Sequence, residues 1–379
     1  METLKLNKER KYTVLGLMSG TSMDGLDCGL FYIELTKKYD YKWKCIKFKT
    51  YNYTDRIRQL INESIFIKDP QIVNKAHEVL GKYYAKVAKM FTKGIKLDLI
   101  ASHGQTISHL HGISTKQIGN PQYLYNNFKI PIVYDFRQED IKYKGCGAPL
   151  MPFLDWLLFK EYNQDVICLN IGGIANLSFI PKDGNLKHIQ GFDTGPGMSL
   201  IDEATLYFFN KKIDLNGLYS KKGKVNKLLL KMLMEIRYIH KNPPKSTGRD
   251  EFGYNLISGF INEFKDIKSY DIIRTLCAFT AKSISENISK FLNITNTKGV
   301  IIISGGGAHH PVVVNDLVKY ANKYKVKFSD SFDINKDMKE SLLIATLGIA
   351  KIKNISSNIP SVTGAKKRVV LGSIYKGEK

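Results

Sequence analysis

Apolar positions along this chain come in short runs closed by small or polar residues. Thr13–Leu17 is apolar, the Ser19–Gly25 stretch is small and polar, and Leu26–Leu35 is apolar again. Two strand-length runs around a small-residue turn predict a hairpin. Val79, Leu80, Tyr83, Val87 and Met90 then recur at helical spacing, and "LDLIASHG" (Leu97–Gly104) reads as a buried strand ending in a polar loop. The second half repeats the scheme. Val166–Ile180 is a hairpin around "NIGG", and a helix begins near Ser199. Ile273, Cys277, Thr280, Ile284, Ile288 and Phe291 share one helical face, and "GVIIISGGGAHH" is a strand running into a glycine turn. Asn358–Ala365 reads as a loop. Strand, helix and strand ending in polar loops is the α/β pattern, in which ligands sit at the carboxyl ends of the strands. The two halves read as an architectural duplication without matching residues, with a boundary near Tyr134–Asp140.

Composition changes this picture little. The 379 residues suffice for two domains, and 43% hydrophobic with 24% charged residues is ordinary for a globular protein. No apolar run is long enough to span a membrane and the N-terminus lacks a secretory pattern, so the expected location is cytoplasmic. The net charge of +22 raises the question of nucleic acid, but only eight of the 57 basic residues are Arg and they are scattered. No basic helix or RNA-binding signature accompanies them, so no nucleic-acid partner is expected. Five dispersed cysteines without a C-x-x-C pair exclude a zinc ribbon or dithiol motif.

The chemistry gathers in loops. In "GLMSGTSMDGLDCGLF" the glycines at 20 and 25 and the hydroxyls of Ser19, Thr21 and Ser22 suit a phosphate, while the absence of Lys excludes a P-loop. Asp24 and Asp27 suit a hydrated Mg²⁺. A tight hairpin satisfying its own backbone explains the same residues equally well. In "QGFDTGPGMSL", Asp193 stands in a glycine-rich bend ahead of a helix whose N-terminus favours an anion. With Ser199 available as the cap, Asp193 is a candidate general base. "DFRQEDIKYKGCGAPL" offers Arg137 as an ion-pair partner of Asp140 or as a fork for substrate oxygens. "SHGQT" offers His103 and Gln105 as polar contacts, and "KSTGRDEFG" adds hydroxyls and an Arg. "SGGGAHHP" leaves bare backbone against which a ribose or base fits, or forms a structural turn. Together the loops suggest a nucleotide held between two domains.

In order, "MSGTSMDGLD", "SHGQT", "DFRQEDI…GCGAPL", "NIGGIANL", "GFDTGPG", "STGRDEF", "SGGGAHHP" and "PSVTGA" closely resemble the anhydro-N-acetylmuramic acid kinases, over roughly Thr13 to Gly372. The resemblance places the chain in the acetate and sugar kinase/Hsp70/actin superfamily. It implies two RNase-H-like (actin-like ATPase) α/β domains with a nucleotide cleft between them. The division is expected at residues 1–135 and 136–355, with about 356–379 packing on the first. The implied reaction uses ATP and water to convert 1,6-anhydro-N-acetylmuramic acid to N-acetylmuramic acid 6-phosphate, in a cytoplasmic homodimer serving peptidoglycan recycling. Asp193 would be the base. Gly20, Thr21, Ser22, Met23, Asp24, Gly25, Leu26 and Asp27 would hold the ATP phosphates, with Asp24 binding Mg²⁺ through water. Asn170, Gly172 and Gly173 join the nucleotide site, and Gly305, Gly306 and Gly307 would meet the adenosine. His103, Gln105, Arg137, Asp140, Gly147, Ala148 and Pro149 would face the anhydro amino sugar. Three features depart from the family pattern: Met198 beside the proposed base, His310 at the adenosine rim, and the segment "MKESLLIA" (Met338–Ala345), which differs from the usual Glu-Ala-containing run. A catalytically weak ATP-binding regulator or scaffold of the same fold, or a kinase for a related anhydro-sugar, is the alternative.

Overall fold

The computed structural model describes residues 11–20, 23–292, 294, 299–335 and 337–377. The chain forms two units. The first runs to Leu158 and resumes at Met338, and the second is Phe159–Asp337. Both changes of unit differ from the expected 135/136 and 355/356. Beyond Tyr134 the chain stays on the first unit through the Gly145–Gly147 turn, and the helix Lys339–Ile352 packs on that unit's strands.

In the first unit, β1 (Tyr12–Ser19), β2 (Gly25–Leu35) and β3 (Tyr41–Asn52) form an antiparallel meander, as the hairpin pattern predicts. β4 (Leu99–Leu110) lies parallel to β1 and carries β5 (Ser114–Ile118) on its far end. β6 (Ile132–Tyr134) runs parallel to β4. Central β1 and the start of β4 are buried on both faces, which is why they read as continuous apolar runs. Edge strand β3 sends Lys42, Lys44 and Lys49 outward, which discourages pairing with another chain.

The helix Pro70–Phe91 starts from Asp69, whose carboxylate caps the amides of Gln71 and Ile72. Its buried stripe is Val73, Ala76, Leu80, Tyr84, Val87 and Phe91, rotated from the expected face, so that Met90 is 55% exposed. The helix Lys339–Ile352 is buried almost throughout. Gly16 admits it, because a Cβ there would lie 2.1 Å from the Ser341 carbonyl oxygen.

In the second unit, β7 (Val166–Ile171), β8 (Ile174–Ile180) and β9 (Gln190–Pro196) form another antiparallel meander. β10 (Val300–Ser304) is parallel to β7, and β11 (Lys325–Phe328) to β10. The sheet order β9-β8-β7-β10-β11 repeats β3-β2-β1-β4-β6 of the first unit, where β12 (Ser373–Tyr375) adds beyond β6. The duplication is therefore one of topology. Each sheet ranks its strands 3-2-1-4-5, the order of an RNase-H-like unit. The helices Ser199–Phe209 and Ser269–Phe291 cover the second sheet, and the latter buries the predicted face. The run 358–365 contains one short helix, Pro360–Thr363, where a loop was expected. All five cysteines are free thiols.

Candidate active site

The chemistry-bearing loops leave the carboxyl ends of the parallel strands in each unit. After β1, Ser19 is buried and its hydroxyl donates to Gln105 Oε1 while meeting the Tyr53 hydroxyl at 2.7 Å. Tyr53 meets Tyr84 at 3.2 Å, and Gln105 Nε2 donates to the Gly20 carbonyl at 3.1 Å. Gln105 is wholly buried, so it supports the Gly20 turn from beneath instead of presenting its amide to a sugar. Thr21 and Ser22 lie outside the described residues. Met23 takes a left-handed φ of 57° and its amide donates to Gly20 O, and Asp24 is exposed. Gly25, Leu26 and Asp27 belong to β2, where their backbones pair with β3. The strand thus begins one residue ahead of the expected Leu26. Leu26 is a core side chain, and Asp27 accepts from Thr50 Oγ1 at 2.6 Å.

His103, at the end of β4, is 3% exposed with both ring nitrogens engaged. Nδ1 donates to the Gly104 carbonyl at 2.8 Å and Nε2 accepts from Arg137 Nε at 3.1 Å. Burial, then the Arg137 charge, pushes its pKa down to about 3, so the imidazole is neutral. Arg137 also donates to Gly147 O at 2.9 Å, and burial lowers its pKa to about 10, leaving it cationic. Arg137 is thus tied to His103 and Gly147, and Asp140 is engaged elsewhere. Asp140, with no exposure, accepts from the Gly147 amide, Asn358 Nδ2 and Thr363 Oγ1 at 2.8–2.9 Å. The expected substrate contact through Asp140 is corrected to a structural one, because both oxygens are occupied inside the protein. Ala148 and Pro149 follow Gly147 and are partly exposed. A cavity of about 200 Å³ opens beside His103, lined by Ser102, Gly104, Thr115, Asp135 and Gln138 among others.

Glu340 was missed in the sequence. Its carboxyl is pushed up by burial and by the Asp27 charge, against the pull of Arg137. Its only signal is a lone acid in the apolar helical run "KESLLIA".

In the second unit Asp193 lies on β9, paired with Asn176, at a register shift that leaves Thr194 unmatched. This corrects the glycine-rich bend: Gly191 and Gly195 sit within the strand, and the bulge re-aims the side chain. Asp193 Oδ2 accepts from Ser246 Oγ at 2.9 Å and from the Thr247 amide at 3.0 Å. The amides of Gly197 and Met198 donate to the carbonyls of Gly173 and Gly172, both at 2.8 Å, and Ser199 N donates to Gly173 O. The start of the helix Ser199–Phe209 therefore holds the β7–β8 hairpin tip, and those amides are not offered to an anion. Ser199 does not cap the helix either, since its hydroxyl donates to Phe252 O at 2.7 Å. Met198 packs against the core. Arg249 passes over Gly173 and meets Glu203 at 3.4 Å. Nearby Asp202 has its pKa raised to about 7, chiefly by burial.

After β10, Gly305 adopts φ 83°, and a Cβ there would lie 2.4 Å from Asn170 Oδ1, so the turn locks onto the hairpin tip. A Cβ on Gly306 would meet nothing within 4 Å, leaving open backbone, whereas Gly307 packs on Ile171. His310 does not reach the rim expected of it. It is 4% exposed, its Nδ1 accepts from Val313 N as a helix cap, and its Nε2 donates to Asp214 at 3.1 Å. Cys277 lies close by, but this tautomer leaves the imidazole no lone pair for a metal.

Two RNase-H-like α/β units, each with glycine turns at its strand ends, define the class of protein. The chain belongs to the anhydro-N-acetylmuramic acid kinase family, whose model matches residues 12–377. The anhydro-N-acetylmuramic acid kinase of Clostridioides difficile (strain 630) is 35% identical, covering 95% of this chain and 97% of that protein. The one from Francisella tularensis subsp. novicida is 36% identical, over 97% and 99%. Among solved structures, a ROK family glucokinase from Streptomyces griseus in complex with glucose and AMPPNP shares 10% identity at a TM-score of 0.39, covering 89% of this chain and 99% of that one.

Proposed function

We propose that this protein is a sugar kinase that uses ATP and water to open the 1,6-anhydro ring of 1,6-anhydro-N-acetylmuramic acid and phosphorylates O6, giving N-acetylmuramic acid 6-phosphate. The observation that carries the reading is Asp193, a carboxylate held by two donors at a bulge on β9. In this reading Asp193 takes the proton of a water whose oxygen bonds to the anomeric carbon. The C1–O6 bond breaks with its electron pair on O6, and that oxygen accepts the γ-phosphoryl group as ADP leaves. The leaving oxygen is itself the acceptor, so no separate general acid is required.

Bound Mg·ATP supplies the phosphoryl group and spreads its developing charge. Gly20, whose carbonyl Gln105 holds, and Thr21, Ser22, Met23 and Asp24 are assigned to the phosphates, with exposed Asp24 assigned to Mg²⁺ through water. Gly25 to Asp27 contribute by fixing that stretch to β2. Asn170, Gly172 and Gly173 shape the second phosphate loop, and the open backbone at Gly306 suits the adenosine. Arg137 and the Gly147–Pro149 segment are assigned to the sugar's lactyl carboxylate and hydroxyls, with His103 orienting Arg137. Among the described residues no helix is long and apolar enough to cross a membrane. A cytoplasmic homodimer serving peptidoglycan recycling belongs to the same reading.

Asp193→Asn tests it. Turnover is expected to fall by about 10²–10⁴-fold, the usual worth of a general base, with ATP affinity by calorimetry retained. Turnover within a few-fold of the parent contradicts the assignment.

A further inference from the structure

Lys245 precedes the two residues that hold Asp193, and its ammonium is inside the protein. The side chain is 4% exposed, with Nζ 4.9 Å from the ring centres of Tyr238 and Phe291 and 5.9 Å from that of Phe192. Nζ donates to the carbonyls of Tyr238 and Ile239 at 3.2 and 3.1 Å. The Tyr238 hydroxyl in turn donates to the backbone carbonyl of Asp193 at 2.9 Å, and the Asp193 amide donates to the Lys245 carbonyl at 3.2 Å. The bonds close a circuit. Lys245 grips the short helix Arg237–His240 by its carbonyls, that helix grips Asp193 through Tyr238, and Asp193 grips the backbone of Lys245. Ser246 and Thr247 leave this clamp and donate directly to Asp193 Oδ2.

We propose that Lys245 is a positioning residue for the reaction: its caged ammonium fixes the loop whose Ser246 and Thr247 donors aim the Asp193 carboxylate and keep it ionised. The inference rests on the reading of Asp193 as the base. Its physical ground is that donors to a carboxylate lower its pKa and select one orientation, while a buried ammonium held by carbonyls and ring faces resists displacement. Burial and the neighbouring Lys290 and Lys241 lower the Lys245 pKa to about 8, and Asp193 and Glu251 oppose them. A side chain of ordinary lysine character would avoid such a place, which marks the cage as built for it.

The test compares Lys245→Met, which keeps length and fills the cage, with Ser246→Ala and Tyr238→Phe, which each cut one bond of the network. Protein labelled with ¹³C-aspartate reports the Asp193 carboxyl titration, assigned by its loss in Asp193→Asn. In Lys245→Met the midpoint is expected to rise by about one unit, with turnover down about tenfold and the acid limb of the rate profile displaced equally. KM for ATP should stay within about twofold, since binding is untouched. Ser246→Ala and Tyr238→Phe should shift the same quantities less, and Ser246→Ala should add little to Lys245→Met. A folded Lys245→Met with midpoint and turnover unchanged overturns the proposal. If that variant does not fold, unchanged midpoints in both other variants overturn it. Retained turnover in Asp193→Asn would instead remove the base assignment, and the carboxyl titration still reads the clamp.

Discussion

His103 shows how burial decides what a polar residue does. His103 carries a pKa of about 3 in the folded protein against 6.5 for an ordinary histidine, through burial and Arg137. Between those values the unfolded chain binds a proton that the folded one does not, so stability falls as pH drops through that window. From pH 6.5 to 5 the loss from this group alone is about 2 kcal/mol. Urea titrations at the two pH values should show a shallower pH slope in His103→Gln than in the parent. Equal slopes would contradict the neutral, doubly bonded imidazole. At this scale residue type alone singled out Asp193 and Arg137, while the glycine-rich bend expected around Asp193 is a bulged strand. The sequence was silent on orientation. Gln105 and Asp140 look like substrate ligands in a string of letters, yet both are wholly buried and bonded inward. Lys245 and Glu340 look like surface charges and are not, since no local pattern records which way a side chain points.

At the scale of elements, Asp140 joins segments more than two hundred residues apart. One oxygen holds the Gly147 amide and the other holds Asn358 and Thr363. Asp140→Asn replaces an acceptor with a donor facing donors. The expected cost is about 2–4 kcal/mol in urea unfolding, together with weaker sugar binding, because the Gly147 turn that Arg137 grips is released. A loss below about 0.5 kcal/mol would place the variant among ordinary surface changes and contradict the hub. Hairpins and long helices were legible because apolar periodicity survives without knowledge of the partner surface. The face of the helix Pro70–Phe91 was misread by a rotation, because Tyr84 and Phe91, which anchor it, came from outside the chosen stripe. The helix Ser199–Phe209 starts at the expected residue, but the neighbouring hairpin tip takes the amides expected to face an anion.

For the whole molecule, the repeated strand order explains why both halves end their strands in glycine turns without sharing a sequence. The turns occupy equivalent places in one topology, whereas the residues that fill them differ. Gly305 makes this testable, since any side chain there meets Asn170 and Ile171 and a φ of 83° is strained for L residues. Excess Mg·ATP at 100 times its Kd should stabilise the parent by about 2.7 kcal/mol by mass action. Gly305→Ala should show a smaller thermal upshift at the same nucleotide concentration, and an equal upshift would contradict the assignment of this turn to the nucleotide. The central claim is that one active site adds water to the anomeric carbon and phosphorylates O6 in the same turnover. Incubation with Mg·ATP and 1,6-anhydro-N-acetylmuramic acid in ¹⁸O-water, read by mass spectrometry, tests it most directly. The account predicts ADP and a sugar 6-phosphate carrying a single ¹⁸O on the anomeric carbon. A phosphorylated sugar without label there, or no sugar phosphate at all, would contradict it.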